Sequence, residues 1–91
     1  MGKETILFKS EEKMSSASGA AILRKLADKL ESGKVVLVHG SKKVTLKIPR
    51  NVEVEIKAEK EESKKRTKKK IEVEIEWVVG APSDVGPVKI K

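Results

Sequence analysis

The spacing of apolar residues along this chain changes period once, from helical to alternating. In SSASGAAILRKLADKLESG (residues 15–33), Leu23, Leu26, Ala27 and Leu30 recur at helical spacing. Ile22 lies at the edge of that stripe, and Arg24, Lys25, Asp28 and Glu31 fall outside it. The spacing predicts an amphipathic helix over about residues 17–32. Ser15, Ser16 or Ser18 can accept a hydrogen bond from a free amide of the first turn, and Gly33 can take the left-handed conformation that ends the helix. Upstream, the apolar run Ile6, Leu7, Phe8 predicts a short strand over residues 4–9.

Downstream of Gly33 come KVVLV, VTLKI, VEVEIKAEK and IEVEIEW, broken by turns at His39-Gly40-Ser41-Lys42 and Pro49-Arg50-Asn51 and by a polar stretch at residues 61–69. Val52, Val54, Ile56 and Ala58 share one face, as do Ile71, Val73, Ile75 and Trp77, with glutamates on the other. The expected fold is α+β and two-layered: one amphipathic helix packed on an antiparallel meander of four to five strands, with one wet face and one covered face. Leu23, Leu26, Leu30, Val54, Ile56, Val73 and Ile75 are expected to be buried together, with Trp77 plugging the rim of the core beside the helix. The domain is expected to span residues 1–77. Residues 78–91, with Gly80, Pro82, Gly86 and Pro87, read as an irregular C-terminal extension whose last residues, VKIK, suit an edge strand.

Symmetric closure of the last hairpin sets Val54 opposite Ile75 and Ile56 opposite Val73. On the other face it sets Glu53 opposite Glu76, Glu55 opposite Glu74, Lys57 opposite Glu72 and Glu59 opposite Lys70. A tight turn at Pro49 would add Lys47 opposite Glu53 and Thr45 opposite Glu55.

Composition narrows the class. With 91 residues there is room for one domain, and with 2% aromatics its interior must be built mainly from Val, Ile, Leu and Ala. No cysteine means no disulfide and no thiolate metal site. Charged residues reach 38%, with no Gln and Asn51 as the one Asn, a Lys/Glu-rich balance that points to a thermophilic source. The first residues lack the apolar run of a signal peptide, and no stretch approaches the roughly 18 apolar residues of a membrane span, so a cytoplasmic location is expected. The formal net charge of +7 is unevenly placed: residues 64–70 (KKRTKKK) hold six cations, and the following IEVEIEW holds three carboxylates.

The helix end LRKLADKLESG (residues 23–33), the VTLKIP strand before the proline turn, VEVEI, and the alternating IEVEIEW closing on Trp together resemble the amphi-Trp domain of archaea and bacteria. The resemblance covers roughly residues 4–77. It implies the helix-plus-sheet fold and little about function, since the family has no assigned role; the lysine-dense run and residues 78–91 depart from its pattern.

Enzymatic readings fare badly against the residue inventory. The one histidine, His39, lies in a turn with no acid nearby in sequence, which fits hairpin chemistry better than a nucleophilic triad. Gly19 lacks the partners of a phosphate-cradling loop. One His and no Cys speak against zinc, and a flat face bearing Glu53, Glu55, Glu74 and Glu76 offers too few converging oxygens for a hard cation. No cofactor is implied.

Two binding readings remain. In the first, Lys64, Lys65, Arg66, Lys68, Lys69 and Lys70 form a basic hairpin loop that contacts the phosphates of nucleic acid or another polyanion, without reading sequence because no aromatic residue interleaves with the lysines. In the second, Glu53, Glu55, Glu74, Glu76, Trp77 or the tail meets a basic protein partner, and the lysines only solubilise. Val36 and Val38, opposite in direction to Val35 and Leu37, leave an apolar strip that favours a homodimer.

Overall fold

A computed structural model of the chain describes residues 2–80. It is α+β and divides into two units, residues 1–48 and 49–91.

The first unit holds α1 (Ser16–Ser32), β1 (Lys34–His39) and β2 (Lys42–Lys47). The Ser15 hydroxyl accepts the Ser18 amide at 3.1 Å and so satisfies one of the orphan donors of the first turn. Gly33, at φ 89°, ends the helix with its amide donating to the carbonyls of Lys29 and Leu30, and the chain turns directly into β1. The Gly33 carbonyl then accepts the Ile48 amide at 2.9 Å, carrying the β1–β2 ladder one step past the strands. Val35 pairs with Leu46, Leu37 with Val44, and His39 with Lys42, leaving Gly40-Ser41 as a two-residue connection. Gly40 takes φ 61°, the positive value that such a tight hairpin needs at its first central position.

Packing in this unit is thin. α1 lies against β1. Val35, 4% exposed, is the one buried apolar residue among those described, with Leu26, Leu30, Leu37, Val44, Leu46 and Ile48 half-buried. Leu23, expected in the core, is 58% exposed. A single hairpin beneath the helix is narrow, and the stripe runs past what it covers. The strand expected over residues 4–9 is not formed: Ile6 and Leu7 are exposed, and a run of three apolar residues between charged neighbours finds no ladder partner among the described residues.

The second unit is built on one long hairpin, β3 (Glu53–Glu62) with β4 (Thr67–Glu76), paired over ten positions in the register predicted from symmetric closure. The connection is shorter than expected. Strand pairing continues to Glu62 and Thr67, so Lys68, Lys69 and Lys70 stand on β4 and not in a loop. Alternating Glu59↔Lys70 and Glu61↔Lys68 pairs favour the longer ladder. Ser63 closes it: its amide donates to the Arg66 carbonyl at 2.9 Å, while its hydroxyl accepts the Arg66 amide at 3.2 Å.

The expected single meander is instead two separate two-stranded sheets, four strands among the described residues. Pro49 brings no amide to the connection, and Arg50 and Asn51 do not take the positive φ of a tight hairpin turn. The Lys47–Glu53 and Thr45–Glu55 pairs therefore do not form. On the β3–β4 hairpin Val54, Ile56 and Val73, expected to be buried, are exposed, Ile56 at 72%, and Ile75 is half-buried. The edge strand expected within residues 88–91 lies outside the described residues.

Candidate functional site

Charge is segregated along the β3–β4 hairpin into three zones, set by which residues the register brings opposite one another. At the base, Glu53 pairs with Glu76 and Glu55 with Glu74, four carboxylates with no cation among them. Glu74 accepts a hydrogen bond from the protonated Glu76 carboxyl and repels its charged form, with smaller contributions from Glu53 and Glu55, and so holds Glu76 above its ordinary value. No group of three or more His, Asp or Glu among the described residues is arranged to hold a metal ion.

In the middle, two lysines and two glutamates form a closed ladder. The Lys57 ammonium lies 3.0 Å from Glu59 Oε1 and 3.6 Å from Glu72 Oε2, and that of Lys70 lies 3.0 Å from Glu72 Oε1 and 3.3 Å from Glu59 Oε2. The hydrogen bond to Lys57 leads the lowering of Glu59, and that to Lys70 leads the lowering of Glu72. Both ammonium groups are raised in turn, Lys57 mainly by its hydrogen bond to Glu59 and Lys70 mainly by its hydrogen bond to Glu72. These groups are solvated, so the ladder sets register more than it adds stability.

At the tip, residues 60–69 hold six cations and two carboxylates, a net charge of +4. Lys60 bridges Glu62 at 2.8 Å. Lys64, Lys65, Arg66, Lys68 and Lys69 make no ion pair among the described residues. Lys70, expected to act with them, is engaged in the ladder behind. At roughly 3.4 Å of rise per residue, the stretch of β4 from Lys68 to Glu74 sets the acidic base roughly 20 Å from the tip.

Trp77, half-buried at the base of the hairpin, lines a shallow groove with Pro49, Asn51, Val52, Glu53 and Glu76. In the first unit Gly19 lies inside α1. One contact escaped sequence reasoning: His39 Nε2 approaches Glu12 Oε1 at 3.8 Å, both side chains exposed. These two residues are far apart in sequence, and nothing in the local pattern signals the pair. No helix among the described residues is long and apolar enough to cross a membrane.

Helix, short hairpin and long charge-segregated hairpin define a small α+β protein whose distinctive chemistry is the amphipathic strand β4 ending beside a tryptophan. The sequence profile of the Amphi-Trp domain matches residues 1–91, and the chain belongs to that family. The match takes in residues 78–91, beyond the stretch of roughly residues 4–77 that carries the resemblance. No curated protein and no solved structure matches the chain.

Proposed function

We propose that this protein is a non-catalytic binding module, a nucleic-acid accessory protein of the cytoplasm that contacts phosphates through its basic hairpin tip. The contacting groups are Lys64, Lys65, Arg66, Lys68 and Lys69, with Lys70 holding the ladder behind them. The observation that supports this is the +4 tip displayed at the end of a registered ladder. The acidic base begins roughly 20 Å from Lys68 by strand rise, against a screening length of about 8 Å at physiological ionic strength. A polyanion at the tip therefore meets a cationic field and not the acidic base. With no aromatic residue at the tip, bases are not stacked, and the contact reads charge without reading sequence.

Binding of a short duplex DNA, followed by fluorescence anisotropy across a salt series, tests the proposal. The slope of log K against log salt is expected to have a magnitude of about 3 to 4, at about 0.9 per phosphate neutralised, and unrelated sequences should give the same affinity. Replacing the five tip cations with Ser should abolish binding. Replacing Lys42 and Lys43, which lie on β2 in a stretch without carboxylates, should cost no more than the loss of net charge. No binding at low salt, or a Lys64/Lys65→Ser pair no worse than the Lys42/Lys43 pair, would overturn it.

A second reading is supported by the uncompensated base. Glu53, Glu55, Glu74 and Glu76, beside the groove lined by Trp77, form an acidic surface suited to a basic protein partner.

A further inference from the structure

The basic partner that the acidic base calls for is present on the same strand. We infer that the outer edge of β4 pairs antiparallel with the β4 edge of a second copy of this chain, about a two-fold axis at Ile71; the inference rests on the acidic-surface reading and gives that surface its partner.

Alternate residues of β4 lie on one face of the hairpin, and the ion pairs joining Lys57, Glu59, Lys70 and Glu72 show that they share it. Along that face run Lys68 and Lys70, then Glu72, Glu74 and Glu76, and the pattern extends back to Arg66, one residue before the strand. Three cations are thus followed by three carboxylates, with Ile71 at the midpoint. Antiparallel self-pairing centred on Ile71 sets Arg66 opposite Glu76, Lys68 opposite Glu74 and Lys70 opposite Glu72, each twice by symmetry. Centring one residue to either side places Lys70 against Lys70 or Glu72 against Glu72 and loses complementary pairs. The charge pattern therefore selects one register, since like charges directly opposite are unfavourable.

β3 does not have this property. Its same face reads Glu53, Glu55, Lys57, Glu59, Glu61, and antiparallel self-pairing near its centre sets glutamate against glutamate. The two edges of the hairpin thus differ: β3 repels its own copy and β4 attracts it. Neither edge has a ladder partner among the described residues. A two-stranded hairpin is marginal alone and an unpaired edge is a template for another strand, so joining two copies into a four-stranded sheet answers both needs.

Sedimentation equilibrium of the full chain at low salt, over a range of protein concentration, tests this. A monomer–dimer equilibrium is expected, weakening as salt rises. Lys68→Glu and Glu74→Lys each create two like-charge pairs in the dimer and should each raise its Kd about tenfold. Glu74→Lys faces Glu55 in its own hairpin, so it does not threaten the fold, and circular dichroism checks this. An equimolar mixture of the two variants should associate about as tightly as the parent, because the introduced carboxylate of one meets the introduced ammonium of the other. A parent that stays monomeric overturns the inference, including the case where residues 88–91 of the same chain take the edge. So does a dimer indifferent to both variants and to their mixing. A lysine-rich peptide separates the two levels: a monomer that binds it at the acidic base sinks the dimer and leaves the acidic-surface reading standing, while a monomer that ignores it sinks both.

Discussion

Glu76 and the pair Glu59 and Glu72 answer to pH in opposite directions, because their neighbours differ in sign. Glu76 faces Glu74, Glu53 and Glu55 and is held above its ordinary value. Between that raised value and the ordinary carboxylate range, the folded chain binds more protons than the unfolded one, so this group makes stability rise as pH falls. Glu59 and Glu72 are held low by Lys57 and Lys70. Below the ordinary range the unfolded chain binds more protons at these two, and the stability they bring is lost as pH falls through their lowered values. Glu76→Gln is therefore expected to be more stable than the parent at neutral pH, with the gap closing as pH falls into the ordinary carboxylate range. Urea unfolding midpoints of both proteins, measured in dilute solution where single chains predominate, check this. A gap that stays constant with pH would show that the Glu76 charge is not repelled in the folded chain. In concentrated protein, Arg66 of a second copy opposite Glu76 should shrink the gap at neutral pH.

At the scale of elements, α1 on β1 is the packing the first unit depends on, and its weight falls unevenly along the helix. Val35 is buried, so Val35→Ala should cost about 2 kcal/mol by lost burial and the space left behind. Leu23→Ala should stay within about 0.5 kcal/mol, as at exposed positions generally. Denaturant midpoints of the two variants against the parent check the contrast, and equal losses would place Leu23 back in a core. The same contrast marks what was legible in the sequence. The cap of α1 was narrowed to Ser15, Ser16 or Ser18, of which the structure uses Ser15, while its bounds and its Gly33 stop are local chemistry and could be read directly. So could the β3–β4 register, because alternation and a symmetric connection leave few choices. Alternation tells which residues share a face and does not tell what covers that face, so the exposure of Val54, Ile56 and Val73 could not be read from it. The six cations at 64–70 read as a loop because like charges repel. The glutamates of β3, which pair with Lys68 and Lys70 and keep them in strand, act only once the register is known. At the candidate site the acidic pairs and the Glu59–Lys70 pair were therefore visible in advance, whereas the extension of the ladder through Lys69 and Lys68 was not.

Across the whole molecule the +7 charge is not where the basic run suggests. Residues 53–76 hold eight cations and eight carboxylates, so the long hairpin is neutral and polarised, and the net charge lies on the rest of the chain. The general field attracts polyanions weakly from all sides, while the tip concentrates attraction at one place. Two proposed contacts then draw on the same side chains: Arg66 and Lys68 face phosphates in one and Glu76 and Glu74 of a second copy in the other. Each ligand must weaken the other by the same factor, because coupling between binding equilibria is reciprocal. Duplex DNA added to the dimer should therefore release single chains, seen by sedimentation as one copy per bound site. The apparent duplex affinity should fall as total protein rises through the dimer Kd at fixed salt. Raising salt weakens both contacts, so the measurement belongs at one low ionic strength, with protein concentration as the variable. A duplex affinity that holds constant across the monomer–dimer transition would mean that the two contacts do not share Arg66 and Lys68. Phosphate binding would then rest on Lys64, Lys65 and Lys69, which antiparallel pairing about Ile71 leaves without an opposing carboxylate.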